Sequence, residues 1–360
     1  MEDLVNPARS FWAGRRVLIS GHTGFKGAWL WLLLQGLGAR PVGIALPPAT
    51  DPNLSVLAGI SRSSDSHFLD IRNGAAVARA LRDANPEIVF HLAAQSLVRR
   101  SYDQPVETFS TNLMGTIQVL EAIRSLPSVR SSIIATSDKV YCNRNQPGAY
   151  REIDALGGHD PYSSSKACSE FAVECWRLSF FHTEGPQIGL ATARAGNVIG
   201  GGDWSTDRLV PDLVRAFAKH RPADIRKPDA IRSWIHVLEP LTGDLILAER
   251  LFAEPWAFSE AWNFGPADSE VRSVEAVSDR AAKLWGNGAG WRAALGSHPH
   301  ETAELRVDAA KARSQLRWHP RLDFDTALSW TIDWYRQWHA GADAAALCQA
   351  QIERYLGKAG

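Results

Sequence analysis

Short runs of β-branched and apolar residues alternate with longer stretches of helical period through the first half of the chain. The strand-like runs are "RRVLIS", "PVGIAL", "SHFLD", "EIVFHLA", "SSIIATS" and "QIGLATARA". Between them lie helical patterns such as "KGAWLWLLLQGL", "GAAVARALRDA", "VETFSTNLMGTIQVLEAIRSL" and "PYSSSKACSEFAVECWRLSFF". Strands alternating with helices of this length predict right-handed crossovers and a parallel sheet covered on both faces. After about Arg194 the rhythm breaks into loops and shorter elements. One strand-helix pair, "IRSWIHV" into "LEPLTGDLILAERLF", resumes it, and a polar, Trp-rich helical tail follows. The expected architecture is α/β, a doubly wound parallel sheet of Rossmann type with a smaller mixed α/β lobe. The sheet domain takes residues 1–193 plus about 237–262, and the lobe is interleaved from 194–236 and 263–360.

Composition narrows the class. The chain of 360 residues is 45% hydrophobic and 22% charged with zero formal net charge, the balance of a soluble globular protein. With no basic stripe or acidic tail, nucleic acid is not an expected partner. The opening "MEDLVNPARSFW" is acidic and lacks an apolar run, so no secretory signal is expected. The longest apolar run, "AWLWLLL" from Ala28, is far too short to span a bilayer, so no membrane association is expected. Cys142, Cys168, Cys175 and Cys348 have neither CxxC spacing nor a His partner at zinc-site spacing. They read as reduced thiols of a cytoplasmic protein, with no metal site. The fourteen Trp identify no ligand and read mainly as core or subunit contacts.

Candidate chemistry begins after the first strand. "VLISGHTGFKGAWL" places Gly21, Gly24 and Gly27 between a strand and a helix. The first glycine suits the tight turn, the second lets backbone approach a pyrophosphate, and the third allows close helix-strand packing. The spacing is GxxGxxG rather than GxGxxG, and its position opening the first helix is what carries the reading. The second strand ends in "GIALPPATD", with Ala45 and Leu46 where an acid for the adenosine ribose is expected, and Asp51 is the nearest acid. Lys26 or His22 could offer positive charge to a ribose or its 2′-phosphate, which leaves NAD and NADP both open.

A second motif, "HDPYSSSKACSEF", holds Tyr162 and Lys166 one helical turn apart. Asp160 is a natural N-cap and Pro161 a natural first residue. An ammonium beside a phenol is expected to lower a pKa that starts near 10, so that Tyr162 can take a proton from a sugar hydroxyl. A third stretch, "TSDKVY", turns abruptly polar at the end of the fifth strand. Its adjacent charges suit a cap, a surface ion pair or catalytic equipment.

Together these features resemble the extended branch of the short-chain dehydrogenase/reductase superfamily and, more narrowly, the CDP-glucose 4,6-dehydratase family. "GHTGFKGAWL", "FHLAAQSLVRRSYDQP", "TNLMGT", "TSDKVY", "LGGHDPYSSSKAC", "ARAGNVIGGGDW", "DRLVPDLV" and "HVLEPL" carry the likeness. The resemblance implies a tightly held, recycled NAD, and a nucleotide sugar oxidised at C4, dehydrated across C5 and C6, and reduced at C6. It implies Ser137, Asp138, Lys139, Tyr162 and Lys166 as catalytic residues. Ser137 would hold O4, Asp138 would be the acid, and Lys139 either a base or a stabiliser of the enolate. The cofactor would meet Gly21, His22, Gly24, Phe25, Lys26, Gly27, Asp70, Ile71, Ala93, Ala94, Gln95, Asn112, Tyr162 and Lys166. The nucleotide sugar would meet Asn197, Leu209, Arg232 and Asn263, making the interleaved segments a nucleotide-sugar-binding lobe. The chain departs from its relatives at Ser233 and Ile235, where they favour Pro and Gln. A homodimer is implied, with the helices from Val106 to Leu126 and from Pro161 to Phe181 forming a four-helix bundle. The rival enzyme readings are a 4-epimerase, or a dehydratase for another nucleotide hexose. The rival of another class is a non-catalytic dinucleotide sensor, which would have no reason to keep Tyr162 and Lys166 together.

Overall fold

The computed structural model describes residues 5–143, 148–181, 187–267, 270–295 and 302–357. Its centre is a seven-stranded parallel sheet. The first six strands are β1 (Arg16–Ser20), β2 (Arg40–Ala45), β3 (Ser66–Phe68), β4 (Ile88–His91), β5 (Ser131–Ala135) and β6 (Gly189–Ala195), each at one of the six predicted runs. The seventh, Ala261–Phe264, was not foreseen; it adds to the edge of β6. Across the sheet the order is β3, β2, β1, β4, β5, β6 and Ala261–Phe264. The chain therefore reverses direction between β1 and β4, and the crevice at the carboxyl ends of these strands is where such a sheet binds ligands.

Strand side chains alternate between two cores, as a period of two requires. Val17, Ile19, Ile88, Phe90 and Ile133 face one side, while Leu18, Val89 and Ile134 face the other. On the first side lie the helices Phe25–Gly36 and Leu238–Ala253; on the second lie Gly74–Ala84 and Gly115–Arg124. The sheet is covered on both faces, which is why its strands read as nearly continuous apolar runs. Trp12, Trp29, Trp31, Trp262, Trp318 and Trp334 are fully buried, in line with a mainly structural use of tryptophan.

"IRSWIHV" is not one strand. Ile231–Arg232 pairs with Arg272–Ser273 and Glu304–Leu305, whereas Trp234–His236 pairs with Asn197–Ile199. The break falls at Ser233, where the chain presses on Gly196: a Cβ there would lie 3.0 Å from Ser233 Cβ and its carbonyl oxygen. The helix Ala344–Tyr355, assigned from sequence to the smaller lobe, packs against the helix Phe25–Gly36, with Ile352 near Gly36. Among the described residues no helix is long and apolar enough to cross a membrane.

Candidate active site

At the carboxyl ends of the strands lies a cleft of about 1480 Å³, large enough for more than one bound molecule. Its floor is the glycine loop. Gly21 has φ +82°, and a Cβ on it would stand 2.7 Å from Ala93 N. A Cβ on Gly27 would stand 2.1 Å from Gly21 O, so only glycine lets the helix begin this close to β1. That helix starts at Phe25 behind Gly24, which supplies no side-chain cap. Its first N–H groups are left for a ligand, and the helix dipole favours an anion there. Gly21, Gly24, Phe25, Lys26, Gly27, Asp70, Ile71, Ala93, Ala94 and Gln95 all line the cleft. Asp70 is held by Arg72, whose Nη2 donates to Oδ2 at 2.5 Å and keeps the carboxyl below its ordinary range. The uncapped helix start, the close approach at Gly21 and the acid beyond β3 fit a dinucleotide.

The other half of the cleft is built by β5 and the helix Pro161–Trp176. Asp160 caps that helix as expected, Oδ1 accepting from Ser163 N at 2.9 Å. Tyr162 and Lys166 follow, 7% and 5% exposed. Lys166 Nζ donates to Ala135 O, the last carbonyl of β5, at 2.9 Å. Burial lowers its pKa to about 8, opposed by Glu170. Tyr162 is hydrogen-bonded to Ser137, but burial pushes its phenol up to about 12. The expected lowering is not met: desolvation outweighs the groups that favour the phenolate.

Asp138 is 3% exposed and raised by burial, with Lys139, Ser137 and Arg232 acting against the rise. Its Oδ1 accepts from Ser137 Oγ at 3.1 Å, while Oδ2 has no hydrogen-bond partner. A buried carboxyl oxygen without a donor favours the protonated acid. Lys139, half-buried, faces the same cleft. "TSDKVY" is therefore neither a surface ion pair nor only a cap, although Ser137 Oγ does accept from Lys139 N at 3.2 Å. Asn197, Leu209 and Arg232 line the far wall. The Arg232 guanidinium is steadied by the carbonyls of Ile231, Thr302 and Ala303.

A glycine-loop floor, a buried acid and a Tyr-Lys helix thus meet in one cleft. Residues 18–243 match the family model described as GDP-mannose 4,6 dehydratase. The chain belongs to the GDP-mannose 4,6-dehydratase family. It is 44% identical to the CDP-glucose 4,6-dehydratase of Salmonella typhimurium, over 97% of this chain and 98% of that one. It is 28% identical to a dTDP-glucose 4,6-dehydratase of Xanthomonas campestris, over 88% and 92%. In fold it is similar to the epimerase Mth375 of Methanothermobacter thermautotrophicus, with TM-score 0.79 and 22% identity over 92% and 95% of the chains.

Three residues expected to meet a ligand, His22, Asn112 and Asn263, are not among those that line the cleft. His22 does not line the cleft: its ring lies beneath Gly43 and beside Trp31, with Nε2 bonded to Ser66 Oγ at 2.7 Å. Burial lowers it to about 4, so it is neutral and offers no charge to a phosphate. Asn112 is also buried behind the wall. Its Oδ1 accepts from Gln95 N at 2.8 Å and its Nδ2 donates to Gln95 O and Ser165 Oγ, each at 2.9 Å. It sits in a π-helical turn, Ser110–Met114, that interrupts the predicted long helix, and it fastens the β4 loop to the Tyr-Lys helix. Asn263 is spent on Tyr141 OH, Tyr150 O and Asp308 O, so it ties loops together rather than facing the cleft.

Sequence reasoning missed Arg208, Asp203 and Ser96, all of which line the cleft. The signals were "GGDW" and "DRLVPDLV", polar residues placed just before an apolar helix. Their use depends on where the loop folds, which no local spacing reveals.

Proposed function

We propose that this chain is a nucleotide-sugar 4,6-dehydratase that converts CDP-glucose to CDP-4-keto-6-deoxyglucose with NAD bound and recycled. The observation that carries the reading is the pairing of Tyr162 with a buried Asp138 through Ser137. An epimerase needs the first residue but not the second. NAD, when bound, supplies the acceptor for the C4 hydride and the donor of hydride to C6. Tyr162 takes the O4 proton, with Ser137 holding that oxygen beside it. Asp138, whose carboxyl burial raises above its ordinary range, gives its proton to the departing C6 hydroxyl. Lys139 stands beside Asp138, where a charge steadies the enolate or a free amine removes the C5 proton. Asn197 and Arg232 meet the diphosphate and Leu209 the nucleotide sugar, with Arg232 a fixed, always-charged fork.

The chain works as a homodimer in this reading. Val106, Met114, Phe171 and Leu178 are exposed on the two helical stretches expected to form a four-helix bundle. Four unpaired cysteines fit a cytoplasmic enzyme. The test is incubation with CDP-, dTDP-, GDP- and UDP-hexoses followed by mass spectrometry. Loss of one water from CDP-glucose without net NADH is expected. An unchanged mass with inverted C4 makes it an epimerase, and water loss from another nucleotide sugar reassigns the substrate.

A further inference from the structure

The loop between the strand Asn197–Ile199 and the helix Leu209–Ala218 has a buried base and an exposed tip. At the base, Trp29 Nε1 donates to Gly201 O at 2.8 Å, and a Cβ on Gly201 would stand 2.1 Å from the Trp334 ring. Asp203 N–H donates to Tyr335 OH at 2.9 Å, and that hydroxyl donates back to Asp203 O at 2.6 Å. Trp204 packs edge-on against Trp338, with ring centres 5.0 Å apart. At the tip, Thr206 and Asp207 are exposed, yet the tip is fastened to two other segments. Arg208 Nη2 donates to Ser96 Oγ at 2.9 Å, and its Nη1 donates to Asp203 Oδ2 at 3.0 Å. Asp207 Oδ1 accepts from Arg226 Nη1 at 2.7 Å and lies 3.5 Å from Arg99 Nη1. Ser96 and Arg99 lie just beyond β4, Arg99 in the helix Val98–Asp103, whereas Arg226 follows the strand Ala223–Ile225. Ser96, Arg99, Asp207, Arg208 and Arg226 all line the cleft, so one carboxylate and one guanidinium join separate parts of its wall.

We propose that the tip of this loop is a strap over the bound nucleotide sugar, latched shut by Asp207 on Arg99 and Arg226 and by Arg208 on Ser96. Placement gives the ligand. The loop starts beyond Asn197 and ends at Leu209, both proposed to meet the nucleotide sugar. The latches are of a kind that opens. The side chains of Arg99 and Asp207 are 42% and 38% exposed, and ion pairs this wet are individually weak. The base is held by buried tryptophans and Tyr335, so the tip lifts while the base stays. A nucleotide sugar enters and its product leaves in every turnover, whereas a recycled cofactor stays. A strap that opens readily therefore belongs over the sugar. This choice of ligand rests on the dehydratase reading; the latches themselves do not.

The test uses Asp207→Asn and Ser96→Ala in the full chain loaded with NAD. Asp207 has φ +60°, a conformation that Asn tolerates as well as Asp, so the first variant removes charge and leaves the backbone preference intact. Hydrogen exchange of the amides at 205–208 reads the latches, and stopped-flow release of CDP reads the strap. Both variants should exchange faster at the tip and no faster at 200–203. Each should release CDP about fivefold faster, and the double variant more than tenfold faster, with release of NADH unchanged. Tip amides that exchange as in the parent chain in both variants overturn the latches. Faster exchange with unchanged CDP release, or with faster release of NADH alone, overturns the strap as a cover for the sugar. If either variant does not fold, Arg99→Gln is read in its place. If the parent chain does not bind CDP, the cytidine reading falls, and release is measured with whichever of dTDP, GDP or UDP it binds. If it binds none of them, the dehydratase reading and the cover over the sugar fall together, and exchange at the tip still decides the latches.

Discussion

Glu170 and Arg194 form a buried two-pronged ion pair, Nε to Oε1 and Nη2 to Oε2, each at 2.8 Å. The two side chains are 4% and 3% exposed. Glu170 also accepts from Thr136 Oγ1 at 2.5 Å and from Thr192 Oγ1 at 2.7 Å, and Arg194 Nη1 donates to Tyr141 OH at 2.9 Å. Glu170 lies one turn beyond Lys166, so the pair pins the Pro161–Trp176 helix to the ends of β5 and β6. Glu170→Gln leaves the guanidinium buried without its counter-charge, a loss of about 3–5 kcal/mol. Urea unfolding should show it as a lower midpoint with an unchanged slope. A midpoint equal to that of the parent chain would mean that the pair adds nothing to stability.

With Asp138 as the proposed acid of the elimination, Asp138→Asn should separate the two halves of the reaction. Oxidation at C4 should persist, while loss of water falls by about 10²–10⁴-fold. Stopped-flow absorbance of the reduced nicotinamide should then show NADH accumulating in the variant beyond its level in the parent chain. Equal loss of both steps would remove Asp138 from the role of acid.

Lys139→Met tests the neighbouring charge. Deuterium exchange at C5 of a trapped 4-keto intermediate should collapse if the amine is the base. Exchange that persists beside a slowed elimination makes Lys139 a stabiliser of the enolate instead.

Asp244 interrupts an apolar helix face. It is 1% exposed, and its Oδ1 has no hydrogen-bond partner. Burial pushes its carboxyl up to about 6 against a pull from Lys26. A raised folded pKa contributes stability that is fully present below the ordinary carboxylate range and is lost as pH rises through about 6. Asp244→Asn should therefore melt higher than the parent chain above pH 6, by up to about 3 kcal/mol at the two-unit shift implied. Below about pH 4 the two should melt together. Scanning calorimetry across pH checks this, and an Asn chain that melts lower at alkaline pH reverses the sign.

Local pattern alone placed the six predicted strands, the glycine loop and the Asp160-Pro161-Tyr162 helix start, because each depends on neighbours within a few residues. The spacing of Tyr162 and Lys166 fixed their shared face for the same reason. What Lys166 then does was not local: its ammonium meets the β5 carbonyl, and burial governs both pKa values. Asn112 and Asn263 carry side chains equally suited to ligands and to backbone, and only packing sent them to Gln95, Tyr150 and Asp308. His22 sits in the middle of the phosphate-loop motif, yet the fold turns its ring away beneath Gly43. Arg208 reaches Ser96 across 112 residues of sequence. Such a contact depends on how the loop before Leu209 folds back over the sheet, so the sequence determined the parts of the site and the tertiary structure decided which charge faces which.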